Sequence, residues 1–211
     1  MILIGQFDSP FVRRVGIALT IYGFAFEHRP WSVFGDAGKI APYNPLRRVP
    51  ALVLEGGETL IESGAILDHL DERAGPDRAL IARSGEARRR DLLTISLATG
   101  LADKAVSLFY EKMLHAEQSD AWVSRCRIQI GAVLEALEAR RSACQTTWWF
   151  GETIGHADIA VAAVLRFVTE AHPGIFEGAR WPALANHAAA AEALEPFKAI
   201  VQPFTVTPPK G

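Results

Sequence analysis

Two short apolar runs, residues 51–55 (ALVLE) and 58–61 (ETLI), flank Gly56-Gly57. A two-residue Gly-Gly connection between strand-type runs predicts a tight antiparallel hairpin. The hairpin leads directly into ESGAILDHL, where Ile66, Leu67 and Leu70 recur at helical spacing toward Gly75-Pro76. Upstream, residues 1–7 read as a strand, and Phe11, Val15, Ala18, Leu19 and Tyr22 read as one helix face with Gly23 as its stop. Residues 26–31 form a second strand candidate, and 35–45 are irregular with room for one short helix. The resulting order, β-α-β-(α)-β-β-α, predicts a small sheet covered by helices.

Beyond Gly75 the period changes. Residues 76–84 read as a linker, and from Glu86 no strand pattern follows. Helical stretches are predicted over 86–115, 119–141, 156–171 and 181–193, and Pro173-Gly174, Pro196, Pro203 and Pro208-Pro209 punctuate the end. The fold class is therefore α/β plus all-α, with boundaries 1–76, a linker 77–84, and a helical domain 85–211. A chain of 211 residues with 49% hydrophobic residues is long enough for two small cores.

The formal charge of −2 gives no reason to expect nucleic acid or an anionic membrane as partner. The Arg88-Arg89-Arg90 cluster lies among Glu86 and Asp91 and reads as a solvated helix face. Residues 1–7 lack a basic leader and a small-residue cleavage site, and the apolar run 159–165 is too short to cross a bilayer. Cys126 and Cys144, the only cysteines, show no CxxC or metal spacing and are expected as thiols in a cytoplasmic protein. The six histidines are scattered singly, so no metal is expected.

Three local features carry chemistry. Ser9-Pro10 suits a helix start, serine as N-cap and proline at the first turn. The same position sets a hydroxyl beside unpaired N–H groups, where an anion or a thiolate is stabilised. Arg48-Val49-Pro50 leads into the strand at Ala51, and Pro50 fits the first strand position as an ordinary trans residue. A cis bond there would turn the Val49 backbone N–H and C=O outward. Glu62-Ser63 stands at the junction of hairpin and helix, with Ser63 as the expected N-cap or as an anion-binding hydroxyl, and Glu62 as a partner for an ammonium group. Two such helix termini in one small domain suit a ligand with two anionic ends.

The stretches SPFVRRV, NPLRRVPALVLEGG, LIESGAIL and GHADIAVA, in that order, resemble the cytosolic-type glutathione S-transferase family, its bacterial Ser-Pro-Phe members most of all. The resemblance implies a thioredoxin-like N-terminal domain, an all-helical C-terminal domain and a homodimer. It further implies glutathione as co-substrate, a cis Pro50 that presents Val49 to the cysteinyl part, and Glu62 and Ser63 at the γ-glutamyl end. Ser9 falls at the sulfur and is the catalytic candidate; Arg48 falls near the glycyl carboxylate.

The activity implied is conjugation of the glutathione thiolate to small hydrophobic electrophiles. Phe11, Phe34, Leu108, Phe109, Tyr110 and Met113 are candidates for the electrophile wall. Alternatives are a non-catalytic binding or assembly protein of this fold, or a glutathione-dependent dehalogenase or peroxidase. Where redox relatives carry cysteine this chain has Ser9, so a catalytic disulfide cannot form there. Isomerase-type relatives with an SSC-like segment fit poorly, because Phe11 and Val12 replace its polar and thiol residues.

In GHADIAVA, Gly155 replaces the family's capping Ser or Thr, which leaves Asp158 to reach back to the Gly155 N–H. Ile154 and Ile159 occupy the staple positions, and Trp148-Trp149-Phe150 are expected to pack at the approach to this helix. The motif is read as serving folding.

Overall fold

The computed structural model describes residues 1–205. Its chain forms two compact units, one comprising Met1–Leu80 and residues 195–205, the other Ile81–Leu194. The prolines at 208 and 209 lie outside the described residues.

The first unit runs β1 (Ile2–Ile4), α1 (Pro10–Tyr22), β2 (Glu27–Arg29), α2 (Ala37–Ile40), β3 (Ala51–Val53), β4 (Thr59–Ile61) and α3 (Ser63–Ala74). The sheet order is β2-β1-β3-β4, with β1 and β2 parallel and the other pairs antiparallel. Period-two alternation divides the strand residues between two faces. Ile4, Ala51 and Val53 bury one face against Ile40 of α2, with Trp31, Val33 and Tyr43 around them. Leu3 and Leu52, paired across β1 and β3 and fully buried, point to the other face, where α1 packs on α3. This is the thioredoxin-like arrangement that the resemblance implies.

Two expected boundaries are corrected. Residues 76–80 are fastened to the first unit rather than forming a free linker. The Tyr22 hydroxyl donates to Asp71 Oδ1, and the Leu80 N–H reaches both Tyr22 Oη and Asp71 Oδ1 at 3.0 Å. The Arg78 guanidinium donates to the Tyr22 carbonyl at 2.6 Å. Burial, reinforced by the Asp71 carboxylate, pushes the Tyr22 phenol far up, so the hydroxyl stays protonated as the donor.

The second correction concerns the end of the chain, expected within an all-helical domain spanning 85–211. A short helix α8 (Glu195–Ala199) and residues 200–205 instead join the first unit. The cause is Arg13, a buried guanidinium on α1, which requires acceptors once it is removed from water. Its Nε donates to the Ile200 carbonyl at 2.9 Å and its Nη2 to the Phe197 carbonyl at 3.3 Å. Gly16 admits Ile200 against the helix: a Cβ there would lie 2.9 Å from Ile200 Cγ2. Five helical residues and two distant carbonyls leave no periodic trace in the sequence.

The second unit contains α4 (Gly85–Leu114), α5 (Asp120–Ser142), α6 (His156–Ala171) and α7 (Pro182–Glu192). α6 is its centre, in contact with α4 and α7, and the run from Ile159 to Leu165 is wholly buried core. An 18-residue window of α4 has mean hydropathy 1.4 and is one-third buried. By length and composition that helix could cross a membrane; here it packs on α5 and α6 and leaves Leu92 and Leu93 exposed.

The start of α6 follows the expected plan in part. Gly155 supplies no side-chain acceptor, so only the returning half of the capping box exists: Asp158 Oδ2 accepts the Gly155 N–H at 2.8 Å. Asp158 Oδ1 accepts the Trp149 N–H at 2.9 Å, which pins the Trp148-Trp149 segment to the helix.

Candidate active site

The sheet register brings three chain segments to one end of the first unit. Ile4 pairs with Ala51, and Ala51 pairs with Ile61. The antiparallel directions then place the exit of β1 toward Gly5 and Ser9, the entry of β3 from Val49-Pro50, and the exit of β4 into Glu62-Ser63 side by side. The Val49–Pro50 peptide is cis. Gly5, at φ +127°, lets the segments close up: a Cβ there would sit 2.7 Å from Val49 Cβ and 2.5 Å from Val12 Cγ2 on α1. Only glycine tolerates both that φ and that approach.

The loop that carries Ser9 is held from several sides. His28 Nε2 lies 2.8 Å from the Gly5 carbonyl, and its ring stacks on Phe7 at 3.7 Å. The Phe7 N–H donates to Gln202 Oε1 at 3.1 Å, and the Ser9 N–H to the Gln6 carbonyl at 3.1 Å. Ser9 is the N-cap of α1 by backbone conformation, with φ −70° and ψ 124°, and its carbonyl accepts the Arg13 N–H. Its side chain makes no capping hydrogen bond. The half-buried hydroxyl therefore stands uncommitted beside the Phe11 and Val12 N–H groups, which have no intrahelical acceptor.

At α3 the expected cap is corrected. Ser63 is the first helical residue, and Glu62 takes the N-cap position, its carbonyl accepting the Ile66 N–H at 3.0 Å. Glu62 does so at φ +67° and ψ 120°, a strained conformation for a non-glycine residue. Neither residue makes a side-chain cap. The Ser63 hydroxyl is nearly buried at 5% exposure, beside the unpaired N–H groups of the first turn, whereas Glu62 is exposed. Such strain costs about 1–3 kcal/mol and persists where function requires it. Glu62→Gly is accordingly expected to raise the urea midpoint, because glycine adopts this φ without strain. A lowered midpoint would contradict this reading of the strain.

Arg48 is exposed, on a loop organised by Asn44, which is buried at 1% exposure. Asn44 Nδ2 donates to the Arg48 carbonyl at 2.8 Å, and Asn44 Oδ1 accepts the Leu46 N–H at 3.0 Å. Sequence reading did not single out Asn44; the turn-forming Asn-Pro dipeptide was its signal.

The expected electrophile wall divides between the units. Phe11 and Phe34 are half-buried in the first. Phe109, Tyr110 and Met113 are half-buried on α4 of the second, with the Phe109 and Tyr110 rings 6.1 Å apart. Leu108 is fully buried and belongs to the core, not to a wall. Among the described residues no group of three or more His, Cys, Asp or Glu side chains is placed to hold a metal ion.

Residues 3–78 match the glutathione S-transferase N-terminal domain and residues 120–190 the corresponding C-terminal domain. An uncharacterised GST-like protein of Escherichia coli is 32% identical over 65% of this chain and 68% of its own length. The chain belongs to the glutathione S-transferase family. A maleylacetoacetate isomerase of Pseudomonas aeruginosa is 31% identical over 69% of this chain and 71% of its own. Among solved structures, a glutathione S-transferase of Methylobacterium radiotolerans, in complex with glutathione sulfonate, superposes with a TM-score of 0.91. It is 27% identical, over 100% of this chain and 98% of its own. A Methylobacillus flagellatus family member with glutathione bound gives a TM-score of 0.86 at 26% identity, over 94% and 98%. Membership thus supports glutathione-dependent transferase or isomerase chemistry for this transferase-family chain.

Proposed function

We propose that this glutathione S-transferase family member binds glutathione across the adjoining ends of β1, β3 and β4 and transfers its thiolate to small hydrophobic electrophiles. The observation that carries the reading is the Ser9 hydroxyl: it sits at a helix N-terminus and is not used to cap it. Donating to the glutathione sulfur, it favours thiolate over thiol. A free cysteine thiol has a pKa of about 8.5, so a small fraction is ionised at neutral pH. A charge-assisted hydrogen bond contributes about 1.5–3 kcal/mol and a helix terminus about 0.3–1 kcal/mol. At about 1.4 kcal/mol per unit, together they lower that pKa by about one to three units.

In this reading the Val49 backbone pairs with the cysteinyl amide, as an added strand would. The γ-glutamyl carboxylate is received by the Ser63 hydroxyl and the first-turn N–H groups of α3, its ammonium by Glu62, and the glycyl carboxylate by Arg48. Half-buried Phe109, Tyr110 and Met113 offer the electrophile an apolar surface on α4. The exposed pair Leu92 and Leu93 supports a homodimer through α4, and the location is cytoplasmic. Isomerisation of an unsaturated acid through the same thiolate is the second reading, supported by the isomerase relatives.

Titration calorimetry with glutathione, followed by turnover of halide, epoxide, peroxide, enone and cis-unsaturated acid substrates, tests the proposal. Micromolar to millimolar binding with conjugation is expected. No binding at millimolar glutathione would favour a non-catalytic assembly role, and a monomer by sedimentation would exclude the α4 dimer.

A further inference from the structure

Both backbone polar groups of Ser9 lie on one closed circuit of hydrogen bonds, and the circuit passes through the far end of the chain. The Ser9 carbonyl accepts the Arg13 N–H at 2.9 Å, and the Ser9 N–H donates to the Gln6 carbonyl at 3.1 Å. Arg13 also holds the returning segment, its Nε donating to the Ile200 carbonyl at 2.9 Å. Two residues on, Gln202 Oε1 accepts the Phe7 N–H at 3.1 Å. The Gln6 carbonyl and the Phe7 N–H belong to one trans peptide group, a rigid plane on which the two point in opposite directions. Gln202 and the Ser9 N–H therefore hold the same plane from its two edges, and bonds in such a chain polarise and strengthen one another.

Gln202 is itself held in place. Phe197 is fully buried and Ile200 is 5% exposed, so two apolar anchors fix the segment beside α1. Pro203 follows, and a residue before proline is restricted to extended conformations. The consequence falls on the Ser9 hydroxyl. Its side chain makes no cap, so its direction is inherited from the backbone that carries it. A tilt of the Gln6–Phe7 plane releases the Ser9 N–H and turns that backbone, and a misaligned hydroxyl makes a weak hydrogen bond.

We propose that Gln202 is a positioning residue for Ser9, holding the Gln6–Phe7 peptide so that the hydroxyl is aligned on the glutathione sulfur. The inference rests on the thiolate reading above and adds to it a residue from the far end of the chain.

Ultraviolet titration of bound glutathione tests it on wild type, Ser9→Ala, Gln202→Met and the double variant, with circular dichroism to verify folding. Methionine keeps the length of glutamine and removes the acceptor. Gln202→Met is expected to raise the pKa of the bound thiol by about half to one unit, roughly a three- to tenfold loss of thiolate at neutral pH. In the Ser9→Ala background the same substitution is expected to change nothing, because both act through one hydrogen bond. Affinity for S-methylglutathione, which has no ionisable thiol, is expected to stay unchanged. Amide exchange gives a second readout: protection of the Ser9 N–H falls in Gln202→Met and is retained in Gln202→Glu, which keeps an acceptor oxygen. A wild-type titration in Gln202→Met, with Ser9→Ala shifted, would overturn the positioning role and leave that of the hydroxyl. An equal shift in both backgrounds would overturn it as well, since Gln202 would then act by another route. No shift in Ser9→Ala would remove the thiolate reading and this inference together.

Discussion

Asp158→Ala is expected to destabilise the protein by roughly 2–6 kcal/mol, because the buried Trp149 N–H and the half-buried Gly155 N–H lose their acceptor and each unsatisfied donor costs about 1–3 kcal/mol. Asp158 is 2% exposed, and its two oxygens hold the Trp149 and Gly155 amides at 2.9 and 2.8 Å. No cap residue shares the task, since Gly155 has no side chain to offer. Urea unfolding measures the loss; an unchanged midpoint would show that the contacts are replaced by water.

The same carboxylate makes stability depend on pH in company with His187. Burial raises Asp158 to about 6 and lowers His187 to about 4. The His187 ring is caught edge-on between Trp148 and Trp149, and its Nδ1 is 3.8 Å from Asp158 Oδ1. A raised carboxyl binds its proton more tightly when folded, so its contribution is present below pH 4 and is lost as pH rises through 6. A depressed imidazole contributes above pH 6.5 and that contribution is lost as pH falls toward 4. The two slopes oppose each other across one window. Relative to wild type, His187→Phe should therefore gain stability on acidification from pH 6.5 to 4, and Asp158→Asn should lose it. Parallel curves for the three proteins would contradict the pairing.

Ser9→Ala carries the largest expected effect on activity. Removing one hydrogen bond to a thiolate costs about 1.5–3 kcal/mol, which is roughly a ten- to hundredfold fall in kcat/KM at neutral pH. Since the hydroxyl does not cap α1, the substitution is expected to leave the unfolding midpoint within about 0.5 kcal/mol of wild type. A serine serving as cap would give the reverse, a stability loss of about 1 kcal/mol with intact rate. The pair of measurements thus separates the two uses of one side chain. An unaltered pH–rate profile in Ser9→Ala would assign activation to the backbone N–H groups alone.

Much of this fold is written in local patterns. The Gly56-Gly57 hairpin, the α1 and α3 stripes and the long helices of the second unit all follow from spacing, and they emerge within a few residues of expectation. What spacing cannot express is a long-range polar contact. The return of α8 to the first unit depends on Arg13 finding carbonyls at Phe197 and Ile200, and the capture of residues 76–80 depends on Tyr22 and Asp71. At the site, residue types were legible but conformations were not. Serine followed by proline reads as a cap, and only the fold shows that the hydroxyl is uncommitted. Ser63 reads as an N-cap, yet the helix begins one residue earlier because Glu62 accepts a positive φ. The Gln202–Phe7 contact joins residues 195 apart, and neither residue announces it.

The central claim is that this protein lowers the pKa of bound glutathione through the Ser9 hydroxyl at the N-terminus of α1. Ultraviolet titration of the thiolate in the binary complex measures that pKa directly, for wild type and for Ser9→Ala. The value expected for wild type lies about one to three units below the free-thiol value of about 8.5, and Ser9→Ala is expected to move most of the way back. Bound glutathione that ionises as it does in water, or identically in the two proteins, would contradict the account.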